Sequence, residues 1–483
     1  MRKLLNILLS GLLVFATWSC SEDIMDDINR NVNDPTQVSS NLIITDAITR
    51  TAFTLTGSDL AFYSSVYIEH NVGIWNQHYN AELRAGEPVS SATYNNSWNS
   101  AYRNLADLQV IIKKCSTGGS EEGNHHTLGI AQILTAYTLA LLTDMWGDVP
   151  WTEALQPGVI FTPKLDKQED IYAAVFQSLD NAIENLGKTT TFPSLGVQDF
   201  IYAGNKDRWL QFAHGLKARY TMRLSHKTPN YANVITFANL SFASAAQQCR
   251  YTYNASTTFS PFFRFFNDRN HFGASTSLNS KLVARTDPRA SKFWVKNPNF
   301  ATFQLAPNGS PLQVQGRYAI SAISTNTAPT YLLSYHEIEF LKAEAYVRLG
   351  GAANLALAET ALRNAVSAAF QKVNIGLTAA EATAYFNANV LSRFVANPLE
   401  EVMNQKYIAF FEEEAVEAYN DYRRLTAMGN NVITLSNPLN AANFPHRFSY
   451  GASDVTTNVN VREAYGDGTY VYTEKVWWAG GTR

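Results

Sequence analysis

Apolar residues recur at close to a 3.6-residue period in several long stretches of this chain. Between Leu128 and Trp146 the apolar positions Leu134, Tyr137, Leu141, Leu142 and Met145, with Thr138, predict a helix. Gly147 and Pro150 stop it. Ile171, Val175, Leu179, Ala182 and Leu186 line one face of a second helix, and residues 208–224 make a third. The clearest unit is a pair, Ser334–Leu349 and Asn354–Phe370. Ile338, Leu341, Ala345 and Leu349 form one stripe, and Leu355, Ala358, Leu362, Ala365 and Ala369 form the returning one. Gly350 and Gly351 between them supply the left-handed backbone that a tight reversal needs. A late helix is expected over residues 399–424 as one continuous element.

These patterns predict a mainly α chain. The 334–370 hairpin, with small residues at its contact, resembles a tetratricopeptide unit. Between the helices lie residues 70–97, 187–207, 251–333 and 428–483, rich in Asn, Ser, Thr, Gly, Pro and aromatics. Irregular stretches this long are functional or disordered, and their aromatic content argues for function.

The N-terminus reads as an export signal. Arg2 and Lys3 precede a short apolar run from Leu4 to Ala16, and the small residue Ser19 stands before Cys20. A bilayer-spanning helix needs roughly 20 apolar residues, so this run is too short to remain as one. A cysteine at the cleavage junction is the acceptor for bacterial lipid modification. The expected order is a signal peptide at 1–19, a tether at 20–40 starting from lipidated Cys20, and a binding domain at 41–483. Thr17, where a lipobox carries Leu, leaves a plain secretory signal as the alternative. Glu22, Asp23, Asp26 and Asp27 make the tether acidic, which resembles a signal for the outer face of the outer membrane.

Cleavage after Ser19 would remove two cations from a chain whose formal charge is already −3, which argues against nucleic acid. Nine Trp, 24 Tyr and 27 Phe against 16% charged residues suit an exported protein that meets neutral ligands. Cys115 and Cys249 are expected as free thiols, although one disulfide between them stays open. Catalytic patterns fail on spacing. His336-Glu337 lacks the second histidine of a metalloprotease helix and reads as an exposed helical turn. His125-His126 is expected in a loop, without the i, i+4 geometry of a helical metal site. Glu413, Glu417 and Asp421 share one helical face at i, i+4, i+8, with Arg424 close behind, and read as a salt-bridged helix face.

Several segments in order resemble the SusD/RagB family. They are Thr143-Asp144-Met145-Trp146-Gly147-Asp148-Val149-Pro150-Trp151, the 209–224 helix, Asp287-Pro288-Arg289, Lys342-Ala343-Glu344-Ala345, Tyr422-Arg423-Arg424-Leu425, Pro445-His446-Arg447-Phe448-Ser449-Tyr450 and Lys475-Val476-Trp477-Trp478. The resemblance implies one large domain built on four tetratricopeptide-like helix pairs with long loops. It implies an outer-membrane lipoprotein facing the cell exterior. Such a protein acts as the lid of a SusC-like TonB-dependent β-barrel transporter and hands it a nutrient, most often a glycan. The same role for oligopeptides is the alternative, and a surface glycoside hydrolase is the alternative of another class. No catalysis and no cofactor are implied, and a structural calcium ion stays open.

Glycans offer apolar C–H faces to aromatic rings and hydroxyls to amide and carboxylate groups. Residues 71–80 and 262–272 combine both chemistries. Trp75 and Tyr79 are expected to form a stacking platform, with Asn76, Asp268 and Asn270 as polar contacts and Trp294 as a further ring.

Overall fold

Each expected helix forms where the apolar period placed it, with one exception late in the chain. The computed structural model describes residues 38–85 and 92–483; the expected signal peptide, Cys20 and most of the expected tether fall outside the described residues. Helices Asn95–Cys115, His125–Trp146, Gln168–Gly187, Lys206–Arg223 and Tyr231–Asn239 pack each on the next. The array continues through Tyr335–Leu349, which lies against Tyr231–Asn239, to Ala352–Phe370. Helix His125–Trp146 is apolar all round because it lies inside this array, not because it crosses a membrane. His125 and His126, expected in a loop, open that helix.

The array buries two apolar clusters. One gathers Trp98, Trp146, Trp209 and Trp478 with the helices from Ser40 to Arg223. The other is centred on Phe340, Phe370, Phe410 and Phe411. Cys115 and Cys249 are buried, free thiols. Gly147 ends its helix at φ 77°, and a Cβ there would stand 2.9 Å from an Arg447 Nη.

The late helix is two helices, Pro398–Ala409 and Ala415–Ala427. Between them Glu412 adopts a left-handed φ of 63°. The break changes what the acidic residues do. All three acids are ion-paired as expected, but Glu413 lies outside the helix, Glu413 and Asp421 are buried and Glu417 is half-buried, so they reach different parts of the fold instead of sharing one face. Glu413 meets Lys372 at 2.5 Å, and Asp421 meets Lys406 at 2.7 Å and Arg424 at 2.9 Å. Glu417 bonds Arg223 and lies 3.7 Å from Arg219. Glu414 accepts from Ser334 Oγ at 2.6 Å and pairs with His336 Nε2 at 2.5 Å, so His336 is a core residue rather than an exposed one. A pairing of Arg219 with Glu337 at 2.5 Å ties the early helices to the late ones.

The few strands are short. Asn71–Gly73 pairs antiparallel with Phe272–Ala274, in the register Asn71↔Ala274 and Gly73↔Phe272. This three-residue ladder joins segments two hundred residues apart and builds the floor of the site described next.

Candidate ligand-binding site

The ladder brings two loops to one end. Ile74 N–H donates to the His271 carbonyl at 2.8 Å, extending the pairing by one bond. On one side the chain turns through extended Trp75 (φ −150°, ψ 145°) into helix Asn76–Glu82. On the other, helix Pro261–Arg269 ends at Asn270, whose φ of 50° makes the left-handed cap that Asn tolerates. Gly73 is required by a close approach: a Cβ there would fall 1.8 Å from the His78 carbonyl oxygen.

A cleft of about 480 Å³ opens between these ends, lined by Trp75, Asn76, Gln77, Phe265, Asp268, Arg269, His271 and Gln315. Gln315 Nε2 donates to the Arg269 carbonyl and pins the far wall. Beneath the cleft, His78 stacks on Tyr63 with centroids 4.7 Å apart. Phe265 and Phe272 close around the same imidazole at 5.0 and 4.7 Å. His78 Nδ1 and His271 Nδ1 lie 3.2 Å apart, so one carries the proton and the other accepts it. Burial, and then the Arg269 charge, hold the His271 pKa down at about 4. The pair is therefore neutral at physiological pH.

Glu82, at the far end of helix Asn76–Glu82, fixes the floor. Its carboxylate accepts from Gly309 N–H at 2.6 Å, Gly73 N–H at 3.3 Å and Asn437 Nδ2 at 3.3 Å. Burial pushes its pKa up to about 7 against the opposing pull of Arg84.

Three of the six residues expected from the sequence meet here: Trp75, Asn76 and Asp268. Tyr79 does not join Trp75. An i, i+4 pair shares a face only when both residues are helical, and Trp75 is the extended cap residue outside the helix. Asn270 caps the helix through its backbone N–H and is not among the residues lining the cleft. Trp294 is core: its ring packs 4.8 Å from Phe411 and its indole N–H is enclosed. Gln315 has no signal in the sequence, because it reaches the cleft from an aperiodic segment.

A second hollow, about 870 Å³, lies between helix Asn95–Cys115 and residues 151–160. Val110, Trp151, Leu155 and Ile160 make it largely apolar. It is larger and sets Gln109, Lys113, Thr152 and Gln156 beside the Trp151 ring, but polar residues are four of its eleven lining residues against six of eight in the Trp75 cleft. Among the described residues no cluster of three or more His, Cys, Asp or Glu side chains could hold a metal ion.

Known proteins fit this architecture. The sequence model of the SusD-like family described as "Starch-binding associating with outer membrane" matches residues 32–451. The chain belongs to the SusD-like family. A SusD/RagB family protein from Bacteroides thetaiotaomicron VPI-5482 is 44% identical with a TM-score of 0.84, over 92% of this chain and all of that one. A chitin-binding SusD homolog from Flavobacterium johnsoniae shares the fold at 19% identity and TM-score 0.72, over 92% of this chain and 99% of that one. So does a chitin-binding protein at 22% identity and TM-score 0.72, over 90% of this chain and all of its own. No curated protein matches the chain. The SusD-like assignment agrees with the mainly helical architecture and with the family segments read from the sequence.

Proposed function

We propose that this SusD-like chain is a cell-surface lipoprotein, anchored through Cys20, that captures a glycan in the Trp75 cleft and passes it to a TonB-dependent β-barrel transporter. The observation that carries this reading is the side-by-side placement of Trp75 and Phe265 with Asn76, Gln77, Asp268, Arg269 and Gln315. Rings take the C–H faces of a sugar, and the amides and charges take its hydroxyls. Lipidation, the transporter and the outward orientation rest on the N-terminal sequence and on family membership. Asp268 is the one carboxylate lining the cleft, whereas general acid and base hydrolysis of a glycoside uses two. The reading is therefore binding without turnover.

The test is calorimetry on the chain without its signal peptide, against soluble oligosaccharides and oligopeptides. Saturable binding of an oligosaccharide, with the sugar recovered intact, is the expected result. A signal from peptides alone would replace the glycan with a peptide cargo, and release of shortened sugars would replace binding with hydrolysis.

A further inference from the structure

Away from the Trp75 cleft, a small cavity of about 140 Å³ lies where helix Ala415–Ala427 meets the C-terminal segments. Tyr422, Arg423, Asn440, Phe444, His446 and Lys475 are among its lining residues. Among the described residues neither of its cations forms an ion pair, and no carboxylate lines the cavity. Arg423 is buried, 3% exposed, with its guanidinium over the rings of Tyr419 at 4.1 Å and Trp478 at 4.8 Å. Its hydrogen bonds go to neutral acceptors: the His446 carbonyl at 2.9 Å, the Asp144 carbonyl at 2.8 Å and the Asn420 side chain at 2.5 Å. Its Nε–H is enclosed and has no acceptor.

Two further buried arginines, Arg84 and Arg447, likewise rest on neutral acceptors and aromatic rings, but neither shares this cavity with a second cation, and others are ion-paired. Arg219, Arg223, Arg289 and Arg424 each hold a carboxylate, at 2.5 Å for Arg219 and 2.7 Å for Arg289 and Arg424. Lys475 is half-buried and has no ion pair among the described residues. The neighbouring acids are engaged elsewhere. Asp421 pairs with Lys406 and Arg424, Glu474 with Arg483, and Asp144 with Arg223. Glu69 accepts the amides of Ser436 and Asn437.

The nearest counter-charge to Arg423 is the Asp144 carboxylate, which is shared with Arg223, and an under-compensated buried guanidinium is costly; a second cation lining the same cavity adds to the cost. We infer that the cavity is an oxyanion site, taking one carboxylate, sulfate or phosphate group between Arg423 and Lys475. Charge-assisted hydrogen bonds from Arg and Lys are the usual means of holding such a group. The cavity is too small for an oligosaccharide chain, so the anion is either a free ion or a charged substituent projecting from a larger ligand. In agreement, Lys475 and Arg423 both help burial to depress the His446 pKa to about 4, which reports positive potential in the cavity. This inference stands apart from the glycan reading and does not require it.

The test compares melting curves of the purified chain in sodium phosphate, sodium sulfate and sodium chloride at equal ionic strength. A saturable upward shift with phosphate or sulfate, absent with chloride, is expected. Lys475→Met, at a half-buried position, keeps the fold by circular dichroism and binds the anion roughly tenfold more weakly. Competition between phosphate and a sulfated or uronate oligosaccharide separates the sources. Displacement assigns the site to a charged sugar substituent, and phosphate binding without displacement assigns it to a free ion. Equal melting in all three salts, or an undiminished shift in Lys475→Met, overturns the site.

Discussion

His78 Nδ1 stands 3.2 Å from His271 Nδ1, and this contact joins the enclosed floor of the candidate site to its wall. It can exist only while one ring nitrogen is bare. The unfolded imidazole titrates near 6.5 and folded His271 near 4. The unfolded chain therefore binds more protons between those values, and stability and cleft geometry are lost as pH falls through that window. Ligand affinity should drop as pH falls from about 6.5 toward 4. His271→Gln should shrink that dependence to the part carried by His78, whose pKa burial also lowers, as titration calorimetry at several pH values would reveal.

Trp75 and Trp294 should part company on substitution. Trp75→Ala removes the half-buried ring of the cleft and should weaken glycan binding about tenfold, equivalent to about 1.4 kcal/mol, with a smaller loss of stability than Trp294→Ala. Trp294→Ala opens a cavity beside Phe293 and Phe411 and should cost about 3–5 kcal/mol of stability while leaving the affinity of the folded protein unchanged. Denaturant titration and calorimetry on both variants separate the two effects.

That contrast marks what the sequence could convey. Amphipathic helices such as Gln168–Gly187 and the 335–370 hairpin repeat locally, so their period exposes them. The break between Ala409 and Ala415 hides because apolar residues run straight through Phe410 and Phe411, while the backbone leaves the helix at Glu412 (φ 63°) and Glu414 (φ −133°). The cleft was half legible. Trp75, Asn76 and Asp268 declare themselves by residue type. The ladder that unites their loops is three residues long and non-local, so nothing near either segment announces it. Trp294 misleads for the same reason: in an aperiodic stretch no pattern tells an inward ring from an outward one.

Glu412 offers a second pH effect of opposite sign. Burial raises its carboxyl pKa to about 8, and Oε1 has no partner. The folded chain keeps a proton that the unfolded chain releases near 4.5, so this residue's contribution to stability is full below that value and is lost as pH rises through 8. Glu412→Gln cannot ionise. Its melting temperature should exceed that of the parent by several degrees at pH 8.5 and by little at pH 5.

Arg219 and Glu337 test the buried ionic frame. Glu337→Ala strands a guanidinium that is 4% exposed, with Glu417 at 3.7 Å as its remaining carboxylate, and should cost about 3–5 kcal/mol. Arg219→Met combined with Glu337→Leu should recover most of that loss, because a packed apolar pair avoids burying charge. Urea denaturation of the single and double variants gives the comparison.

The central claim is where the glycan sits. The most direct measurement is a crystal structure of the chain with whichever oligosaccharide titrates most tightly. The account predicts a sugar face against Trp75, with hydroxyls on Asn76, Asp268 or His271. Sugar density in the apolar hollow beside Trp151, with the Trp75 cleft holding only water, would contradict it.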